Sequence, residues 1–283
     1  MFDPFPLIEP PAIAHQRLAV LVYSVLLVTG FAASLTLGAR LVQRPPAWKR
    51  LADIVRARAW SSWDSGLLVL MLINGQIVLL ILHRLITHVS PFFWFGLNTV
   101  AFHIAGLILV AGIVGRSGNS WTGGFGFPSG MRPALGDMRT AVLVYLATLP
   151  ILAFSSLAYD LLLSSMNYSA TAQEIVSILD LFPAGWKHTC IIAIAVTVAP
   201  VFEEVLFRGI LLPAMARRWG TGAAIFLTSF LFALVHFHIP SLVPLFVIAT
   251  AFAVGYVYSG SLLVPIVMHA LFNAVNLAAL TNI

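Results

Sequence analysis

The chain is written in long apolar blocks separated by short polar ones. Predominantly hydrophobic runs cover roughly residues 18–39, 67–88, 92–114, 139–163, 188–212, 220–239, 242–259 and 261–281. Each approaches the ~20 apolar residues that a helix needs to cross the hydrocarbon core. None shows the strict alternation expected of a half-buried strand. In lipid every backbone polar group must be satisfied within the structure, which leaves helices or closed barrels. Runs this long and continuous do not read as barrel strands. The pattern therefore predicts an all-α polytopic membrane protein with about eight transmembrane helices. No internal repeat is visible.

Composition points the same way. Of 283 residues, 60% are hydrophobic and only 9% charged, against about 25% charged in a soluble domain. Most of the surface must face lipid. The formal net charge of +5 is accounted for by basic loops, so no nucleic-acid partner is expected. Arg40, Arg44, Lys49, Arg50, Arg56 and Arg58 share one connection with a single acid, Asp53. The third connection carries Arg116, Arg132 and Arg139, and the fifth Arg217 and Arg218. The bias of positive loops toward the cytoplasm places these three on that side and both termini on the other. The second connection, with His83, Arg84 and His88, fits this scheme less well. The N-terminal MFDPFPLIEPP has no basic residue, so the first apolar run is expected to stay as a helix and not to be removed as a leader.

Two loops have a character of their own. Over residues 47–60, Trp48, Leu51, Ile54 and Val55 fall on one side of a helix and basic residues elsewhere, a pattern suited to an interface with anionic lipid. Residues 121–130, WTGGFGFPSG, are rich in turn formers. Their glycines lack the strand–turn–helix setting of a nucleotide-binding loop. The single cysteine, Cys190, excludes an internal disulfide and a cysteine-based zinc cage.

The candidate chemistry lies in the last four apolar runs. An ionisable group inside a membrane costs about 2.5–3.5 kcal/mol on insertion scales and is a functional hypothesis by default. Glu203 and Glu204 stand together in VAPVFEEVLFRGILLP. Glu204 and Arg208 are four apart, so they share a helical face and pair. Glu203 is turned about 100° away, which leaves it free for proton transfer. Further on come FALVH, ending in His236, and HALFN, from His269 to Asn273. His269 and Asn273 also share a face and both offer N–H donors, a pair that stabilises an oxyanion if it converges on one point. Glu203 and His236 together would polarise a water for attack on a carbonyl.

Taken singly, each feature has a plainer reading. The acid pair with Arg208 serves equally as a buried ion pair between helices. A membrane histidine packs or lines a cavity, and a membrane asparagine makes an interhelical hydrogen bond. Phe232 reads as packing, His238 as an interface residue near Pro240, and His103 and Asn98 as packing or cavity residues. The combination carries the functional reading: one chain otherwise almost free of intramembrane charge gathers these groups on three late spans.

EEVLFR (Glu203–Arg208), FALVH (Phe232–His236) and HALFN (His269–Asn273), in that order on successive late helices, resemble the EExxxR, FxxxH and HxxxN motifs of the CAAX protease and bacteriocin-processing family of intramembrane peptidases, which includes the type II CAAX prenyl endopeptidases. The resemblance covers roughly residues 140–280. It divides the chain into N-terminal helices with basic loops (1–138) and a catalytic membrane core (139–283). It implies an intramembrane endopeptidase in which Glu203 is the general base, His236 positions the water, Glu204 and Arg208 brace the site, and His269 and Asn273 form the oxyanion hole. No cofactor is expected. The alternative is zinc held by Glu203 or Glu204 with His236 and His269, a set that would suffice for a catalytic site although HExxH is absent. The expected partners are a membrane-associated protein or peptide and the bilayer; for a bacterial chain this means the inner membrane. Two rivals stand beside this reading. One is a non-catalytic scaffold or bacteriocin self-immunity factor on the same fold. The other is a proton-coupled transporter, which should show inverted repeats that this chain lacks.

Simple straight spans leave one conflict. Glu203 falls near mid-membrane, while His236 falls toward the end of its helix.

Overall fold

The computed structural model describes residues 11–58, 60–86, 88–116, 118, 120–168 and 174–281. The N-terminal stretch expected to carry no leader lies outside them. All eight apolar runs are helical, and among the described residues there is no strand. In chain order the helices are α1 (Pro11–Gln43), α2 (Trp48–Arg56), α3 (Ser62–Leu85), α4 (Pro91–Arg116), α5 (Trp121–Phe125), α6 (Met131–Ser165), α7 (Glu174–Leu181), α8 (Trp186–Trp219), α9 (Thr221–Leu234), α10 (Leu242–Ser259) and α11 (Leu263–Thr281). Six of them are long and apolar enough to cross a membrane by length and composition: α1, α3, α4, α6, α8 and, with the short turn before it, α10. The other two apolar runs form shorter helices, with α9 only 14 residues long. The chain is an integral membrane protein.

Local signals set the boundaries. Ser61 caps α3 by accepting from the Asp64 N–H, and Ser90 caps α4, where Pro91 takes the first turn at no cost in hydrogen bonds. Gly30 lets α1 lie against the Leu146 carbonyl and Pro150 of α6, and Ser34 donates to Ala147 O at 2.8 Å beside it.

The loops assigned to one side meet at one end. Arg58 donates to Gly123 O and to Gly260 O, both at 2.6 Å, and Arg217 donates to Arg58 O at 2.7 Å. Trp60 stacks on Phe125 at 4.8 Å between ring centres. Gly126, at φ 76°, sits so close to Gly260 that a Cβ there would overlap its carbonyl. The WTGGFGFPSG segment thus joins elements through a buried centre, Gly124 and Phe125, while its two ends stay exposed. The amphipathic segment α2 is also less interfacial than its pattern suggests. Val55 is fully buried and Leu51 packs against the same core, while Trp48 and Ile54 stay exposed. At the opposite end, the Lys187 ammonium lies 5.0–5.9 Å from the ring centres of Phe92, Phe182 and Trp186.

One apolar core runs through both parts of the chain, joining Leu68, Val110 and Phe125 to Phe202, Phe232, Phe252 and Met268. The depth conflict disappears in this arrangement. α8 runs on to Trp219, well past residue 212, and reverses at Gly220 (φ 82°) directly into α9. Glu203 lies 17 residues before that turn (220 − 203) and His236 lies 16 after it (236 − 220). Nearly equal counts along two arms that leave one hinge carry both side chains back in the same direction, toward similar heights above it.

Candidate active site

α8 departs from regular α geometry on both sides of the acid pair. Wider π turns span Ile194–Val198 and Val205–Leu211, with a short α segment, Ala199–Glu204, between them. Each π turn ends just ahead of a proline, Pro200 or Pro213. A proline ring clashes with the carbonyl four residues back and brings no N–H, and widening the turn gives it room. One consequence reaches another helix. The Ala199 N–H bonds back five residues to Ile194 O. In the same register Ala195 O should receive the N–H of residue 200, which is a proline. That carbonyl is taken instead by the Asn273 side-chain amide from α11, at 2.7 Å.

Glu204 sits at the centre of a closed layer. Its Oε1 accepts from Arg208 Nη1 and from His269 Nδ1, each at 2.8 Å. Both members of the ion pair are fully buried. Arg208 Nη2 donates to Ala249 O at 2.9 Å, and the guanidinium lies 4.7 Å from the ring centre of Phe232 and 5.4 Å from that of Phe252. A cation between aromatic faces gains electrostatic stabilisation without water. The His269 ring stacks on Phe252 at 5.0 Å and 24°. Because its Nδ1 meets a carboxylate, that nitrogen carries the hydrogen, and Nε2 bears the lone pair of the neutral ring.

Glu203 is different. Its side chain is 18% exposed and no cation pairs with it at close range. Oε2 lies 3.8 Å from His269 Nε2, and Oε1 lies 4.0 Å from His103 Nε2. These distances exceed a hydrogen bond, and Oε2 is buried without one. His236 sits just past the end of α9, where its Nδ1 takes up Phe232 O at 2.7 Å. This is one of the carbonyls that a helix end leaves open, and it leaves Nε2 available. His236 is within electrostatic reach of Glu203, but among the described residues no hydrogen bond joins them. The next residue, Phe237, holds φ 48° and is 93% exposed.

Glu203, Glu204, Arg208, His236 and His269 therefore gather in one region, with Asn273 one turn beyond His269. The pairing of Glu204 with Arg208 and the separate facing of Glu203 are present as the spacing predicts. The donors assigned to an oxyanion have protein acceptors in this structure: His269 Nδ1–H points to Glu204, and one Asn273 N–H to Ala195. His103 is the residue that sequence reasoning set aside. Its one available signal was being the sole ionisable group inside α4 before Arg116. Asn98, by contrast, accepts from Gln76 at 3.1 Å and joins α3 to α4.

The zinc alternative finds no fit. Among the described residues no three His, Cys, Asp or Glu side chains are grouped as a metal would require. Glu204 Oε1 is committed to Arg208 and His269 Nδ1. The chemistry below is derived without a metal.

Residues 185–275 match the family described as Type II CAAX prenyl endopeptidase Rce1-like. No curated protein and no solved structure matches the chain. The matched stretch contains all three motifs, so the resemblance read from them is borne out there, and the match supports a membrane protease of the CAAX type in general.

Proposed function

We propose, for a chain whose residues 185–275 carry the sequence of CAAX-type endopeptidases, that Glu203 activates a water to hydrolyse a peptide bond of a membrane-associated protein or peptide, in a bacterial inner membrane. The observation that carries this reading is the contrast within the acid pair. Glu204 is consumed by Arg208 and His269, while Glu203 keeps both oxygens within 4.0 Å of an imidazole nitrogen and free of any cation.

Glu203 accepts a proton from water as the water oxygen attacks the carbonyl carbon, with His236 Nε2 positioning that water. Negative charge develops on the carbonyl oxygen. The remaining Asn273 N–H is the donor for that charge. When the carbon–nitrogen bond breaks, the proton held by Glu203 returns to the leaving amine, and the free carboxylate is regenerated. The Glu204–Arg208 pair touches no reacting atom. It fixes the His269 ring through Nδ1, as a carboxylate fixes a catalytic histidine elsewhere.

The test reconstitutes the full chain in vesicles with two quenched fluorescent peptides, one farnesylated and ending in a CAAX sequence, one apolar and unprenylated. Wild-type protein should cleave at least one. Glu203→Gln should lower the rate by about two to four orders of magnitude with an unchanged melting temperature in detergent. Full activity in that variant, or no cleavage of either peptide by the wild type, overturns the proposal.

A further inference from the structure

α4 lies outside the stretch matched to the endopeptidase family, yet it delivers a side chain to the candidate base. His103 sits on a π turn, Val100–Ile104, that interrupts α4. π turns inside α-helices are rare and gather at functional sites. The extra residue in the turn lets two consecutive side chains, Phe102 and His103, both meet α8. Phe102 packs edge-on against Phe202 at 5.1 Å and His103 does so at 5.5 Å, and Phe202 directly precedes Glu203. One turn further along α4, Gly106 lies against the same Phe202 ring, where any Cβ would overlap it. A glycine here allows the two helices to approach closely enough for His103 to reach the carboxylate.

The polar bookkeeping is unusual for a lipid-facing protein. His103 is 16% exposed in its side chain, and its Nδ1 is buried without a hydrogen bond. An imidazole placed only for packing would carry that loss with no return, and a phenylalanine would fill the same space. Its other nitrogen, Nε2, lies 4.0 Å from Glu203 Oε1, while His269 Nε2 lies 3.8 Å from Oε2. The carboxylate stands between two imidazoles, one at each oxygen. His269 is anchored by Glu204, so its position is set. His103 is the partner left to define the opposite edge. Catalytic hydrogen bonds in substrate-free sites are often long and close when substrate binds.

We propose that His103 is a positioning residue for Glu203: through Nε2 at Oε1 it fixes the orientation of the carboxylate that takes the proton from the attacking water. This rests on Glu203 being the base. A carboxylate held at one oxygen has a fixed orientation, and misplacement of a reacting group by about 1 Å costs on the order of a hundredfold in rate.

His103→Phe keeps the ring volume and removes the nitrogen. It should lower kcat on the cleaved peptide by about 10- to 100-fold with KM unchanged. His103→Gln, whose amide N–H reaches about as far as Nε2, should recover much of that loss. Wild-type kcat in the Phe variant, or a change confined to KM, overturns the proposal. A measurement independent of turnover accompanies it, the melting temperatures of His103→Phe, Glu203→Gln and the double variant. A direct contact predicts departure from additivity by at least about 2 °C, and strict additivity overturns it. If Glu203→Gln retains full activity, the peptidase reading itself fails. If only Glu203→Gln is inactive and His103→Phe is normal, the failure belongs to His103 alone.

Discussion

The layer around Glu204 and the layer around Glu203 are built from adjacent residues of one helix, yet the first is closed and the second open. Glu204 Oε1 takes two hydrogen bonds of 2.8 Å, from a guanidinium and an imidazole that are themselves packed between aromatic rings. Glu203 has neighbours on either side but no bond shorter than 3.8 Å. A step of 100° around the helix axis separates them. The closed layer spends its charges on each other and gains rigidity. The open layer keeps a carboxylate with unmet hydrogen-bonding capacity. A site that must hold a reactive group steady in lipid needs both, and α8 supplies them with consecutive residues.

The contrast breaks most severely at Arg208. Replacing it with Ala leaves Glu204 as an uncompensated charge at full burial, a loss of about 3–5 kcal/mol. The expected outcome is a sharp fall in folded yield and melting temperature, with activity lost as a by-product. Glu203→Gln should do the opposite: about two to four orders of magnitude in rate at constant stability. Equal thermal losses in the two variants would mean that the layers are not distinct. Gly106→Ala should cost about 1–3 kcal/mol by overpacking against Phe202 and should also lower kcat by moving α4 outward; a normal melting curve would show that α4 does not approach as closely as described. The smallest effect should come from Asn273→Ala. Loss of one interhelical bond within a membrane averages about 0.6 kcal/mol and rarely exceeds about 1.7, so a shift of a few degrees in melting temperature is expected from the Ala195 contact. A much larger drop in turnover than in stability would separate an oxyanion role from the structural one.

The parts of the site that follow from spacing were readable in the sequence. Glu204 and Arg208 pair because four residues make about one turn, and that rule survives even where the backbone widens to a π turn. His269 and Asn273 share a face by the same rule. What spacing did not reveal is what their donors meet, since His269 Nδ1 turns to Glu204 and Asn273 turns to a carbonyl freed by Pro200. That proline was a legible clue, because a missing N–H inside a helix always leaves a carbonyl to be answered for. His103 was not legible in this way. No local rule connects the third apolar run to the fifth. The link depends on Gly106 meeting Phe202, a tertiary contact, and on a π turn that apolar periodicity does not register. The amphipathic pattern of residues 47–60 was read correctly as a helix with one apolar side, but Val55 is covered by protein and not by lipid.

The hinge at Gly220 makes length itself a part of the site. Glu203 and His236 are counted off 17 and 16 residues from it on two arms, like marks on the legs of a pair of dividers. A single residue inserted in one arm between hinge and site would slide its side chain by about 1.5 Å and swing it by about 100°, taking Glu203 and His236 out of register without altering either. Matched changes in both arms would move the pair together and keep it assembled at a new depth. The hairpin therefore sets the height at which this pair stands, and that height changes only when both arms lengthen or shorten together.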